Sequence, residues 1–196
     1  MDAMSTQRIV IGGILVVALV AVAVWLYFRQ KQSKRLQGRF GPEYGKAVED
    51  FGSQRKAESE LKARERRVEH LDIATLAPAD AARFTEVWNS LQSRFVDNPQ
   101  GVVAQADQVV RELMLKRGYP MADFEHRAAD ISVDHPGVVR NYRAAQAIAV
   151  RGSSGEASTE ELRSAVVHYR ALFDELLEVR DPQQPVASVK QLAVPS

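Results

Sequence analysis

The sequence contains no cysteine. This absence excludes a disulfide scaffold, an iron–sulfur cluster, a zinc ion held by cysteine and a cysteine nucleophile. It does not identify the cellular compartment, because a chain without cysteine tolerates any redox environment. A large excess of one charge is also missing, since 26 Lys and Arg residues stand against 25 Asp and Glu residues, a net charge of +1. Dedicated nucleic-acid binders carry a basic excess, so we expect no nucleic-acid partner.

Sequence motifs of the common enzyme classes are missing as well. The chain has no G-x-G-x-x-G, no P-loop, no H-E-x-x-H and no G-x-S-x-G. Nothing in the sequence therefore indicates a catalytic residue or a cofactor. A non-enzymatic protein is the favoured prediction.

Residues 9–28 form a long apolar run, IVIGGILVVALVAVAVWLYF, with neither a charge nor an amide. As a helix this run would be about 30 Å long, which matches the hydrocarbon core of a bilayer. It predicts one transmembrane helix, preceded by a short tail of residues 1–8. The alternative is an exported protein whose signal peptide is cleaved after Ala23, because Ala21 and Ala23 form an A-x-A pattern. The run continues to Phe28, which favours an uncleaved anchor.

The residues at the end of this run predict how it meets the membrane. Trp25 and Tyr27 are aromatic residues of the kind that prefer the headgroup layer. Arg8 is the one basic side chain before the run, whereas six basic side chains follow closely after it. These six are Arg29, Lys31, Lys34, Arg35, Arg39 and Lys46. Because flanking Lys and Arg residues tend to stay cytoplasmic, we expect the remainder of the chain in the cytoplasm, with its cations against anionic headgroups.

The rest of the chain predicts an all-α protein. Residues 29–71 read as a basic juxtamembrane segment and a long charged helix, residues 72–180 as a small antiparallel helical bundle, and residues 181–196 as a disordered tail. The long helix runs from about Glu43 to His70, with a weak point at Gly52. Apolar positions in its second half alternate steps of four and three. This spacing indicates either a short coiled coil or a solvated spacer helix, and the spacer is favoured.

Local signals place the helices of the bundle. Helix starts are predicted near Pro78, Pro99, Ala122, Pro136 and Ser158. Gly118 follows two basic residues, a pattern typical of a helix C-terminus. Ser158 and Glu161 have the spacing of a capping box. Residues 151–155 read as a flexible loop.

The four histidines offer only a weak case for a metal site. Di-metal helical bundles use Glu-x-x-His, and none of these histidines has a glutamate three residues before it. The nearest candidate set is Asp123, His126, Asp130 and His135. In the alternative interpretation His126 faces solvent and His135 caps the helix that begins at Pro136. We favour that interpretation and predict no bound metal, while keeping a small-ligand or metal-binding bundle as the second hypothesis.

The main hypothesis is a membrane-tethered, non-enzymatic module that holds an unidentified protein partner near the membrane. Two regions are candidate docking surfaces, the charged helix from Glu58 to Val68 and the irregular stretch from Tyr119 to Pro136. The individual candidates are Glu58, Lys62, Glu65, Tyr119, His126 and His135.

Five segments form a recognisable pattern: RFGPEYGKAV, RRVEHLDI, RFVDNP, RGYPMADFEHRAADISVDHPGVVRNYRAA and GEASTEELRSAVVHYRALFDELL. Over residues 39–177 this pattern resembles an uncharacterised family of small bacterial single-pass membrane-anchored helical proteins. The resemblance implies a bacterial source and the inner (cytoplasmic) membrane, but it implies no activity and no catalytic residue. Ala77 departs from the pattern, which has a capping Ser or Thr before the helix at Pro78.

Overall fold

The computed structural model describes the backbone of residues 3–177 and the side chains of residue 13 and residues 16–177. Within this range every regular element is a helix, which confirms the all-α prediction. The helices are α1 Ala3–Phe40, α2 Pro42–Phe51, α3 Gln54–Val68, α4 Pro78–Ser93, α5 Pro99–Arg117, α6 Phe124–Asp134, α7 Pro136–Ser153 and α8 Thr159–Leu176. The predicted tail at 181–196 lies outside the described residues.

The described part of the chain divides into two compact units, the first ending at Ala63 and the second beginning at Arg64. In the first unit α1 continues without a break to Phe40, so residues 29–40 are helical. Ser33, Leu36 and Phe40 share one face of α1, and all three are buried. The helix stops before Gly41, whose φ of 49° lies in the left-handed region that glycine tolerates.

The predicted long helix from Glu43 to His70 is wrong as one element. The chain forms α2 and α3, separated at Gly52, which has a φ of 68°. A left-handed residue stops the helical hydrogen bonds, so the sequence weak point is a full break. On α3 the apolar positions Ala57, Leu61 and Val68 are buried, as expected for one face of either a coiled-coil helix or a packed spacer helix.

The second unit contains one hydrophobic core built from α4 to α8. Trp88 of α4 stacks on Phe173 of α8 with ring centroids 4.6 Å apart. Tyr142 of α7 packs against Phe124 and Tyr169, at centroid distances of 4.8 and 6.3 Å. These aromatic side chains therefore serve as core, as their helical spacing predicts.

The helix starts follow the local signals. Prolines open α4, α5 and α7, and the Asn98 side chain accepts a hydrogen bond from the Gly101 N–H at 2.9 Å. Both hydrogen bonds of the Ser158–Glu161 capping box are present. Ala77 precedes α4 without a side-chain cap. The ends are less well predicted, because α7 extends to Ser153 through the predicted loop.

Hydrogen bonds at the end of α5 hold the segment that precedes α4 against the bundle. The Arg117 carbonyl accepts from the Ala74 N–H at 2.9 Å, and Arg117 Nε donates to the Ala74 carbonyl at 3.1 Å. Arg117 Nη1 also donates to the Leu176 carbonyl at 3.3 Å, at the end of α8. One buried arginine thereby satisfies carbonyls from two separate segments.

No helix among the residues that the structure describes in full is long and apolar enough to cross a membrane. The predicted span at residues 9–28 includes residues 9–12, 14 and 15, whose side chains lie outside the described part.

Candidate functional site

The four weak metal candidates do not come together. Asp123 caps α6 by accepting from the His126 N–H at 3.0 Å, and its other carboxylate oxygen lies 2.7 Å from His126 Nδ1. These hydrogen bonds from His126, the backbone bond first, lower the pKa of Asp123. Asp130 is buried against Arg67, and His135 Nδ1 lies 3.1 Å from Glu175.

Each candidate therefore has its own structural partner. Among the residues described in full, no group of three or more His, Asp or Glu side chains is arranged to hold a metal ion. A site made of Asp123, His126, Asp130 and His135 is not formed. The physical reason is that Asp123 and His126 are one helix cap, whereas Asp130 faces the interior.

Half of the six candidate docking residues are buried. Glu58, Glu65 and Tyr119 are exposed by 8%, 5% and 1%, so none of them is a surface contact. Lys62 and His135 are partly buried, and His126 alone is well exposed. The many charged residues of α3 suggest an exposed helix, but the Glu58 and Glu65 carboxylates face inward.

Glu58 is the centre of a polar cluster within the first unit. Its Oε1 accepts hydrogen bonds from the Ser33 hydroxyl at 2.6 Å, the Tyr44 hydroxyl at 2.9 Å and the Gln54 amide at 2.9 Å. The donors come from α1, α2 and α3, so one carboxylate ties three helices together. Burial raises the pKa of Glu58, but the three hydrogen bonds outweigh burial and hold it below its ordinary value.

Replacing Tyr44 by phenylalanine removes one donor to this carboxylate and the 3.2 Å hydrogen bond between the Tyr44 and Ser33 hydroxyls. We expect hydrogen exchange of the α2 and α3 amides to accelerate about tenfold, equivalent to about 1.4 kcal/mol. Mass spectrometry of the exchanging chain measures this change. Glu49→Gln removes an exposed carboxylate from α2 and is the matched control, with no change expected. Equal exchange in both variants would show that the cluster does not tie the helices.

The pH dependence of the first unit follows from the same cluster. Because the folded-state pKa of Glu58 is lowered, its ionised form stabilises the fold at pH above the unfolded-state pKa. This contribution is lost as the pH falls through the folded-state pKa. Protection factors in α2 and α3 should therefore decrease on acidification from about pH 5, since an unperturbed glutamate titrates near 4.3. Glu58→Gln should remove this dependence.

A second polar cluster lies in the second unit, where α5, α7 and α8 meet. The buried Tyr169 hydroxyl of α8 lies 3.2 Å from Asp107 Oδ1 of α5 and 3.1 Å from Gln146 Oε1 of α7. Arg111 Nη2 lies 3.2 Å from Asp107 Oδ2, one helical turn along α5. Burial, and then the Asp107 carboxylate, raise the pKa of Tyr169 well above its ordinary value. The hydroxyl therefore stays protonated and donates.

A cleft of about 320 Å³ opens above this cluster. It is lined by Gln100, Val103, Ala104, Asp107, Arg111, Gln146, Ala149, Val150, Gly152, Ser153 and Leu162. The volume lies at the lower end of the range of small-molecule sites, and the walls combine apolar side chains with a few polar groups, as such sites do. This cleft is the strongest candidate binding site in the second unit.

The sequence alone does not indicate this site. Asp107 and Arg111 have the i, i+4 spacing of a surface ion pair, and Gln146 lies on a helix read for its apolar face. The helical spacing of Tyr169 predicts a core residue, which its buried ring confirms, but it does not predict the partners of its hydroxyl. The one available signal was the position of Asp107 between Val103 and Val110, in a stripe that is otherwise apolar.

The predicted membrane-interface residues all lie on the exposed surface of α1. They are Trp25, Tyr27, Arg29, Lys31, Lys34, Arg35 and Arg39. The Arg29 guanidinium lies 5.4 Å from the centre of the Trp25 ring, a cation–π contact.

Comparison of the chain with protein-family models, curated proteins and solved structures finds no significant match. The resemblance to the family of small bacterial membrane-anchored proteins therefore stays a prediction.

Proposed function

We propose that the protein is a single-pass, membrane-tethered helical module without enzymatic activity, which holds a protein partner at the cytoplasmic face of a bacterial inner membrane. Residues 9–28 are its anchor, and the cations of residues 29–39 contact anionic lipid headgroups. The compact second unit is the part that is held near the membrane.

The observation that carries this proposal is the exposure of α1. Its large apolar side chains from Val16 to Phe28 are between 47% and 69% exposed. Successive residues of a helix point 100° apart, so these side chains cover every face of α1. An isolated helix that is apolar all round needs a cover, and lipid is the environment in which such a helix is stable.

The length of the apolar run supports the same conclusion. The full sequence from residue 9 to residue 28 has no charge, and its length matches the hydrocarbon core. Beyond Phe28 the exposed side chains of α1 change to Arg and Lys, which suit the headgroup region. Ser33 and Leu36, further along the same helix, are buried. The C-terminal part of α1 is therefore packed within the first unit, whereas its apolar N-terminal part is exposed.

The test uses the absence of cysteine. Ser5→Cys and Ser154→Cys place a single thiol on either side of the proposed anchor, and Ser154 is exposed. Intact cells are treated with a membrane-impermeant maleimide before and after lysis, and the labelled chain is weighed. We expect Ser5→Cys to label in intact cells and Ser154→Cys to label only after lysis, both on a full-length chain.

Each other result contradicts a stated part of the proposal. Labelling of Ser154→Cys in intact cells would overturn the cytoplasmic orientation. A chain shortened by cleavage after Ala23 would overturn the anchor and support export. Recovery of the full-length chain in the soluble fraction would overturn membrane attachment itself.

A further inference from the structure

The cleft of the second unit has two parallel walls and a floor. Gln100, Val103, Asp107 and Arg111 follow one another along α5, and Gln146, Ala149, Val150 and Ser153 along α7. Leu162 of α8 completes the lining, and the Tyr169 hydroxyl contacts Asp107 of α5 and Gln146 of α7. The cleft is therefore polar at the Asp107 end and apolar between Val103, Ala149 and Leu162.

The polar end offers the acceptor oxygens of Asp107 and Gln146 beside the N–H donors of Arg111 and of the Gln146 amide. Asp107 offers two carboxylate oxygens and Gln146 offers its amide oxygen. The Tyr169 hydroxyl has one proton for two acceptors, at 3.2 and 3.1 Å. Tyr169 and Arg111 contact different oxygens of Asp107, so each oxygen keeps a second lone pair that can accept from a ligand. A primary ammonium group carries three donors and a positive charge, which suit this acceptor group.

The charges of Asp107 and Arg111 together indicate that a ligand needs an anionic group as well as an ammonium group. Asp107 is 15% exposed in its side chain, whereas Arg111 is 43% exposed and lines the outer edge of the cleft. A lone cation would have to compete with Arg111 for Asp107. A ligand with an ammonium group beside a carboxylate avoids this conflict, because its carboxylate can pair with the Arg111 guanidinium as its ammonium approaches Asp107.

From these features we propose that the cleft binds a small zwitterion with an aliphatic side chain, of the chemical class of the aliphatic α-amino acids. The ammonium group contacts Asp107 and Gln146, and the carboxylate contacts Arg111. The side chain lies against Val103, Ala149 and Leu162. Every residue of this site belongs to the second unit, so the proposal is independent of membrane attachment.

The ligand series that tests the proposal needs only the unchanged full-length chain in lipid nanodiscs, with titration calorimetry as the readout. The probes are L-leucine, isoamylamine without its carboxylate, 4-methylpentanoate without its ammonium, and glycine without the side chain. We expect L-leucine to bind with a Kd of about 1 mM or below and each of the others at least about tenfold more weakly. No binding of L-leucine up to about 10 mM, or equal binding of the amine, would overturn the proposal.

Variants place the binding in this cleft. Asp107→Asn removes the charge and Ala149→Leu fills the apolar part, and each should weaken L-leucine binding at least about tenfold. Their controls are Asp174→Asn, which opens the equivalent i, i+4 pair with Arg170 on α8, and Ala147→Leu, on an exposed position of α7. Unchanged affinity in both test variants, or equal loss in the controls, would place L-leucine outside this cleft. Circular dichroism of each variant reports whether it folds.

Discussion

Replacing Gly118 by alanine is expected to lower the free energy of unfolding of the second unit by about 3 kcal/mol, with the midpoint of thermal unfolding about 10 °C lower. Gly118 has a φ of 98°, where a side chain is strained. Its added Cβ would also overlap the backbone carbonyl oxygen of Asp72. Backbone must shift to relieve this overlap, and the shift disturbs the adjacent hydrogen bonds between Arg117 and Ala74.

Two further glycines separate the causes of this loss. Gly155 has a φ of 78° but open space around its Cβ position, so Gly155→Ala measures the cost of the left-handed conformation alone, about 1 kcal/mol. Gly137 is helical and also has open space, so Gly137→Ala should leave stability unchanged or raise it by up to about 1 kcal/mol. Near-UV circular dichroism during heating measures all three. If Gly118→Ala lowers the free energy of unfolding no more than Gly155→Ala does, the overlap with Asp72 contributes nothing to the loss.

The helix starts were predictable because their causes are local. Proline in a first turn, Asn98 as a cap and the Ser158–Glu161 box act over three or four residues, and each appears in the structure where the sequence places it. Gly118 acts in the same way at a helix end. The end of α7 at Ser153 has no such signal and depends on packing, and it lies within the predicted loop of residues 151–155.

The polar sites were not predictable, because their function depends on which side chains become buried. Glu58 and Lys62 lie one turn apart and look alike as surface charges in the sequence, yet Glu58 accepts three hydrogen bonds inside the first unit. Asp107 looks like half of an exposed ion pair but contacts a buried hydroxyl from another helix. Ser33 and Tyr169 reach these carboxylates from positions 25 and 62 residues away along the chain. Helical periodicity over a few turns contains no information about such partners.

Asp130 shows how the same residue type supports two different hypotheses. In the sequence, a carboxylate close to two histidines suggests a metal ligand. In the structure it is 2% exposed in its side chain, and its Oδ1 lies 2.8 Å from Arg67 Nε and 2.7 Å from Arg67 Nη2. Both nitrogens of one guanidinium edge meet one oxygen, which links the end of α3 to α6 within the second unit.

Arg67→Met is accordingly expected to destabilise the second unit by about 3 kcal/mol, because it leaves the buried Asp130 charge without its partner. The double variant Arg67→Met, Asp130→Leu removes both charges and should recover most of this loss, since a buried ion pair gains little over a well-packed apolar pair. Thermal unfolding of the two single variants and the double variant measures the coupling. Arg163→Met, which breaks an exposed pair with Glu160, is the control and should cost less than about 0.5 kcal/mol.

The result also decides the role of Asp130. In a structural pair the single variants lose stability, the double variant recovers it, and added Zn²⁺ changes none of the three midpoints. A metal ligand behaves differently, because Zn²⁺ would then raise the midpoint of the Arg67→Met variant, where the carboxylate has lost its competing cation, and Asp130→Leu would abolish that rise. Stabilisation by Zn²⁺ that also depends on His126 or His135 would restore the metal hypothesis against the geometry of the helix cap.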